Sequence, residues 1–337
     1  MHRFSMNSKA IRKLISISLA TTLSISLSVA ALAAESELTG LPIDDSIIEQ
    51  RPIAVMVDNE KIALNHFGTG EADIVYEMVN STANGRVTRL MCIYKDWANI
   101  KQTGSIRSIR TTNIPLAAEY NAIMIHDGGP FYINAYLANP WADHLSGGFA
   151  RIKNGKRTEF TEYVTASVLN SKIAKSKISR TYNAYQPARR AHFLFNPTEA
   201  LLQGGTPANV VNLSGSFIHN RSKLYYNPAT MTYDYYDYDM IHVDGEDAQV
   251  LTFKNVILQC VPLTQLDANG YMNYETVGSG QGFYMTDGAV VPISWKKDNM
   301  TAPTRYFNAQ GQEILLNKGK TYIGLIPADT WATTAIG

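Results

Sequence analysis

From Val210 onward the sequence is a succession of short β-branched and aromatic runs broken by turn chemistry, with almost no helical period. That texture restricts the second half of the chain to strands. Asn227-Pro228, Asp244-Gly245, Asn269-Gly270, Asp287-Gly288 and Gln310-Gly311 supply the turns, because Gly and Asn tolerate positive φ and Pro presets a turn dihedral. The expectation is a mostly antiparallel β-rich domain over residues 206–327, with a tail at 328–337. The first half reads differently. Apolar runs at Ile53 to Val57, Ile74 to Met78, Val87 to Ile93 and Ala122 to Ile125 alternate with helical patterns at about Ser108 to Tyr120 and Ala166 to Lys175. This predicts a sheet with helices packed on it over residues 51–205. Gln203-Gly204-Gly205-Thr206-Pro207 reads as a linker between the two, so the fold class expected is α+β. Residues 34–50, with Gly40 and Pro42, read as a flexible lead.

Ahead of these lies a leader. Arg3, Lys9, Arg12 and Lys13 form a basic head without acids, and Leu14 to Leu32 is apolar or small apart from scattered Ser and Thr. Ala31 and Ala33 fill the small-residue positions before a scissile bond. The pattern predicts a signal peptide over residues 1–33, with cleavage near Ala34 and export from the cytoplasm. An uncleaved anchor helix is the alternative, because the run approaches the ~20 residues a span needs, but hydroxyls dilute it. No cysteine adjoins the cleavage site, so no lipid anchor is expected.

Removing the leader leaves 26 basic and 29 acidic side chains, a net charge of −3 with His neutral. That balance argues against a nucleic-acid partner. The remaining 304 residues exceed what one core usually serves, which favours two domains. Cys92 and Cys260 each belong to an apolar run and read as two buried thiols, although a single disulfide is permitted outside the cell.

Candidate chemistry gathers where strands end, since ligands of open sheets with covering helices bind there. Asp58 and Asn59 follow one predicted strand, Glu77 closes another, and His126-Asp127-Gly128-Gly129 follows a third. Arg107 and Arg110, three apart, would share a helix face and clamp a carboxylate or phosphate, and Arg86 and Arg89 add charge nearby. Gly128 and Gly129 would let a ligand approach the backbone. The competing account has the arginines paired internally with Asp58, Asp73 or Glu77, and the glycines making only a tight turn. His126 beside Asp127 suits a general base or a structural histidine equally.

Other patterns are weaker. The histidines have neither HExxH spacing nor a cysteine cluster, so no metal site is expected, and no dinucleotide or phosphate-loop fingerprint calls for a cofactor. Gly278-Ser279-Gly280-Gln281-Gly282 lies among turns rather than in a strand-turn-helix setting. Cys92 has no base beside it. His242-Val243-Asp244 reads as a hairpin surface. The run Tyr233 to Asp239 offers aromatic faces for sugar rings, but a strand of this kind turns half of its rings inward.

Successive segments also carry a resemblance: Arg51 to Asn59, Ala72 to Glu77, Gly104 to Arg110 and His126 to Gly129, then Lys254 to Val256, Gly278 to Gly282, Trp295 to Lys297, Pro303 to Tyr306 and Asn317 to Thr321. Together they resemble the YerB family, also labelled DUF3048, over most of residues 51 to 327. The resemblance implies an exported protein of Gram-positive bacteria with an α/β-type N-terminal domain and a smaller β-rich C-terminal one, and no established activity. Where family members tend to have Pro-His-Asn before a Tyr, this chain has Phe160-Thr161-Glu162-Tyr163, and it lacks the family's lipobox cysteine. Two functions follow. The first is a non-catalytic envelope protein binding a cell-wall component or an envelope partner. The second is a hydrolase or transferase on wall polymer, using His126, Asp127, Asp58 or Glu77 as acid and base. The sequence offers no complete nucleophile constellation, which favours the first.

Overall fold

The computed structural model describes residues 34–185 and 192–337. The signal peptide expected over residues 1–33 lies outside the described residues. Among those described, no helix is long and apolar enough to cross a membrane.

The predicted apolar runs become strands Ile53–Asp58, Ile74–Val79, Thr88–Tyr94 and Ile123–His126, each buried along its whole length. Continuous apolar runs, rather than alternating ones, fit strands covered on both faces. They lie in an eleven-stranded sheet that also contains strands from the second half. Its main path runs Arg305–Phe307, Ala289–Lys297, Gly278–Thr286, Asn255–Val261, Thr321–Pro327, Ile74–Val79, Thr88–Tyr94, Ile53–Asp58, Ile123–His126, His144–Ser146. Thr321–Pro327 pairs in parallel with Asn255–Val261 on one side and with Ile74–Val79 on the other. The second half is therefore antiparallel except at this strand, and it shares its sheet with the first half across the predicted linker.

A six-stranded sheet built mainly from Val210–Asn212, Lys223–Asn227 and Thr232–Asp237 packs on the large one. Tyr235 and Phe253 lie against the Tyr322 ring, with centroids 5.8 and 5.5 Å away. The tyrosine run obeys the two-residue period. Tyr233 and Tyr235 are buried, while Asp234 and Tyr236 are half-exposed.

Several expectations are corrected. The lead at 34–50 packs against the body: Leu38 is buried, and the buried Lys95 ammonium binds Glu37 at 2.9 Å and the Ile48 and Gln50 carbonyls. Helix is scarcer than the pattern promised. Ala166–Lys175 is helical as predicted, but the Ser108 to Tyr120 pattern yields only Asn113–Ala118. Residues 105–109 are not helical because their backbone groups bind a strand and a turn instead: Arg107 N–H donates to the Met56 carbonyl and Ile109 N–H to that of Gly128. Cys92 and Cys260 are both unpaired; Cys92 is buried, with burial pushing its thiol up to about 12, while Cys260 is only partly buried.

Candidate functional site

Strands Ile53–Asp58, Ile123–His126 and His144–Ser146 run parallel, so Asp58, His126 and Ser146 end on the same edge of the sheet. The segment Arg107 to Arg110 is laid across this edge, with the Arg107 carbonyl accepting from Asp127 N–H at 3.1 Å. Arg107 and Arg110 thus reach the site from a non-helical strap, not from one helix face. The Gly128-Gly129 turn follows at once. Gly128 has φ +68°, and a Cβ at Gly129 would stand 2.9 Å from the Ile109 carbonyl oxygen, so the strap can pass this close only over glycine.

Two guanidiniums converge on one carboxylate, and a third stands close by. Arg107 binds Asp58 at 2.8 Å and the Glu159 carbonyl at 2.7 Å, while its guanidinium lies over the Phe160 ring. Arg89, from the neighbouring strand, approaches Asp58 at 3.7 Å and donates to the Ser108 carbonyl. Arg110 has no carboxylate within ion-pair distance among the described residues. It donates to the Ser108 and Ile109 carbonyls and lies over the Tyr271 ring at 5.2 Å. The Nε groups of Arg89 and Arg110 are buried without a hydrogen-bond partner. Burial, with repulsion from Arg107, brings Arg110 down to about 10, and burial together with Arg110 holds Arg89 well below its ordinary value. Both arginines line a small cavity with Asn80, Thr112, Asn113 and Met272, and no acidic residue borders it.

On the other flank, Arg151 bridges Asp127 at 3.2 Å and Glu162 at 3.0 Å. Burial and then the Asp127 carboxyl push Glu162 up to about 7. His126 donates its Nδ1 proton to the Gly128 carbonyl at 2.8 Å, which leaves Nε2 to accept from His144 Nδ1 at 3.1 Å. Burial lowers His126 to about 4, so the ring is neutral at physiological pH and serves to fix the turn.

Two of the predicted site residues lie elsewhere. Glu77 is fully buried beneath the small sheet. It accepts from Thr88 and Ser222 at 2.7 Å, from Tyr322 at 2.7 Å, from Tyr235 at 2.9 Å and from the Asn59 amide at 3.4 Å. Asn59 also binds the Thr88 hydroxyl, and its carbonyl accepts from Asn220 and Tyr238. Both residues tie the sheets together, and neither faces the arginines' cavity. Arg86, a further charge considered from sequence, pairs with Asp329. Sequence reasoning missed Arg151 and Glu162 as site members; they lie on loops and short strands with no periodic signal, and only the folded chain brings them to Asp127. Among the described residues, no group of His, Cys, Asp or Glu suits a metal ion.

These features define a mixed-sheet protein with few helices and an arginine-rich site at its strand ends. The DUF3048 N-terminal domain, a protein domain of unknown function, matches residues 38–179, and the DUF3048 C-terminal domain matches residues 213–323. The chain belongs to the DUF3048 family. It is 24% identical over 301 residues to the candidate lipoprotein YerB of Bacillus subtilis (strain 168), covering 87% of this chain and 86% of that protein. The crystal structure of the Bacillus subtilis YerB protein superposes with a TM-score of 0.76 at 22% identity, over 90% of this chain and 99% of that one, a likeness of fold.

Proposed function

We propose that this protein is an exported cell-envelope component that binds, without catalysis, an anionic group of a wall component or envelope partner at the Arg89–Arg107–Arg110 site. One observation carries the reading: Arg89 and Arg107 share one carboxylate partner, Asp58, Arg110 has none among the described residues, and Arg89 and Arg110 keep buried, unpaired Nε groups. Such a site gains from an added anion, because an unpaired buried donor costs roughly 1–3 kcal/mol and like charges repel. Binding is favoured over hydrolysis by the separation of the carboxylates. Asp58 is engaged by arginine and Glu77 by hydroxyls, so the acid and base considered from sequence do not face one reacting centre.

An extracytoplasmic location rests on the basic head, apolar run and Ala31 and Ala33 of the leader, and the relative's name, a candidate lipoprotein, agrees with an envelope setting. The absence of a cysteine near Ala34 supports retention by binding rather than by lipid.

The test is cosedimentation of the mature full chain with purified cell wall over a salt series. Salt-sensitive pelleting that Arg110→Ala weakens about tenfold or more, with an unchanged melting temperature, is expected. Pelleting that is indifferent to Arg110→Ala and to salt rejects the site.

A further inference from the structure

Beside the arginines lies an aromatic surface that the sequence pattern did not single out. Phe131 follows the Gly128-Gly129-Pro130 turn and is 70% exposed, the highest value among the exposed large aromatic side chains described. Its ring lies 4.0 Å from that of Tyr132, the Tyr132 ring meets Tyr271 edge-on at 6.5 Å, and Tyr271 lies under the Arg110 guanidinium. An uninterrupted path therefore leads from an exposed apolar face to a cation that has no carboxylate partner among the described residues.

The surface is built, not incidental. Tyr132 donates its hydroxyl to Asp267 at 3.2 Å, and Asp267 also accepts from the backbone N–H of Tyr271 and of Asn269. The Asp267 to Tyr271 loop is pressed onto Ser81 to Ala83: Gly270, at φ +78°, passes so close that a Cβ would stand 2.5 Å from the Ala83 nitrogen. Rings from distant parts of the sequence are thus fixed relative to one another before any ligand arrives, which lowers the ordering cost of binding.

Resting on the anion-binding reading above, we propose that the ligand is an acidic saccharide, whose pyranose ring lies on Phe131 and Tyr132 while its carboxylate or phosphate substituent reaches Arg110. A sugar ring offers an apolar C–H face to an aromatic plane and hydroxyls at its rim, and Asp267 stands beside the rings to accept from those hydroxyls. A single-stranded nucleic acid also needs rings and cations, but its continuous phosphates would meet the Asp267 carboxylate, and the chain without its leader carries a net charge of −3.

The experiment titrates the mature full chain by calorimetry with four probes: a uronic-acid oligosaccharide, a hexose phosphate, the neutral counterpart oligosaccharide, and a thymidine oligonucleotide. Inorganic phosphate serves as the simple anion. The acidic sugars are expected to bind, with the better of the two naming the substituent, and the neutral sugar at least tenfold more weakly. Phe131→Ala, at an exposed position, is expected to weaken acidic-sugar binding about tenfold while leaving phosphate binding unchanged. Arg110→Ala is expected to weaken both. Acidic-sugar affinity indifferent to Phe131→Ala, equal affinity for the neutral sugar, or preference for the oligonucleotide overturns the saccharide assignment while the anion reading stands. Unchanged binding of both acidic sugar and phosphate in Arg110→Ala overturns the anion reading itself.

Discussion

The Tyr322 hydroxyl lies 2.7 Å from Glu77 Oε2, so a strand of the chain's last quarter caps a carboxylate that has no lysine or arginine within ion-pair distance among the described residues. The two residues sit on adjacent parallel strands, with Val75 directly opposite Tyr322. Ser222 and Tyr235 of the small sheet complete the cage. Glu77 is therefore the polar junction of both sheets, and its role is structural.

Replacing it should be costly. Glu77→Ala strands four buried hydroxyls and is expected to lower stability by about 3 kcal/mol or more, read from the denaturant midpoint. Burial raises the Glu77 carboxyl above its ordinary value. The folded state thus keeps the proton to higher pH than the unfolded chain, and its contribution is complete at acid pH and falls as pH rises through the folded value. Glu77→Gln should remove that part of the decline.

Arg107 and Arg110 should separate in a stability measurement. Arg107→Ala leaves the buried Asp58 with the 2.7 Å hydrogen bond from Glu60 N–H and only the 3.7 Å ion pair to Arg89, and a loss of about 1–3 kcal/mol is expected. Arg110→Ala removes a cation whose neighbours are carbonyls, a ring and other arginines, and the melting temperature should stay within about 2 °C of wild type. Equal losses at the two positions would contradict the assignment of Arg110 as a cation without a carboxylate partner among the described residues.

Glu162 should make stability depend on pH near neutrality. Burial, with Asp127, raises it from 4.5 to about 7, so the stability gained by holding its proton is fully present below the unfolded value and lost as pH rises through about 7. Glu162→Gln is expected to flatten this decline, giving a melting temperature at pH 8 above wild type by about 2 °C or more. Melting curves of both proteins from pH 5 to 8 check the sign.

Residues 206–337 expressed alone should not unfold cooperatively. Thr321–Pro327 is a central strand whose neighbour Ile74–Val79 comes from the first half, and removing that neighbour exposes a long, buried, apolar edge. Aggregation or a broad, non-sigmoidal melt is expected; a sharp transition of a soluble monomer would show that the pairing is dispensable.

The sequence by itself determined the local elements and their chemistry. The continuous apolar runs marked the buried strands at Ile53–Asp58, Ile74–Val79, Thr88–Tyr94 and Ile123–His126, because burial on both faces demands apolar residues at every position. The Tyr233 and Tyr235 spacing carried their inward orientation through the two-residue period of a strand. Tertiary structure alone decided what those elements meet. Strand order is set by pairing between residues hundreds of positions apart, which no local period encodes, so the merging of both halves into one sheet was invisible in the texture change near Gly204. The same holds at the site. Arg107 and Arg110 follow a helix-like spacing, yet their strap is not helical because the Met56 carbonyl of one strand and the Gly128 carbonyl of the turn after another claim its backbone N–H groups. Phe131, Tyr132, Tyr271 and Arg110 form one surface only because the Asp267 loop folds back onto Ser81 to Ala83.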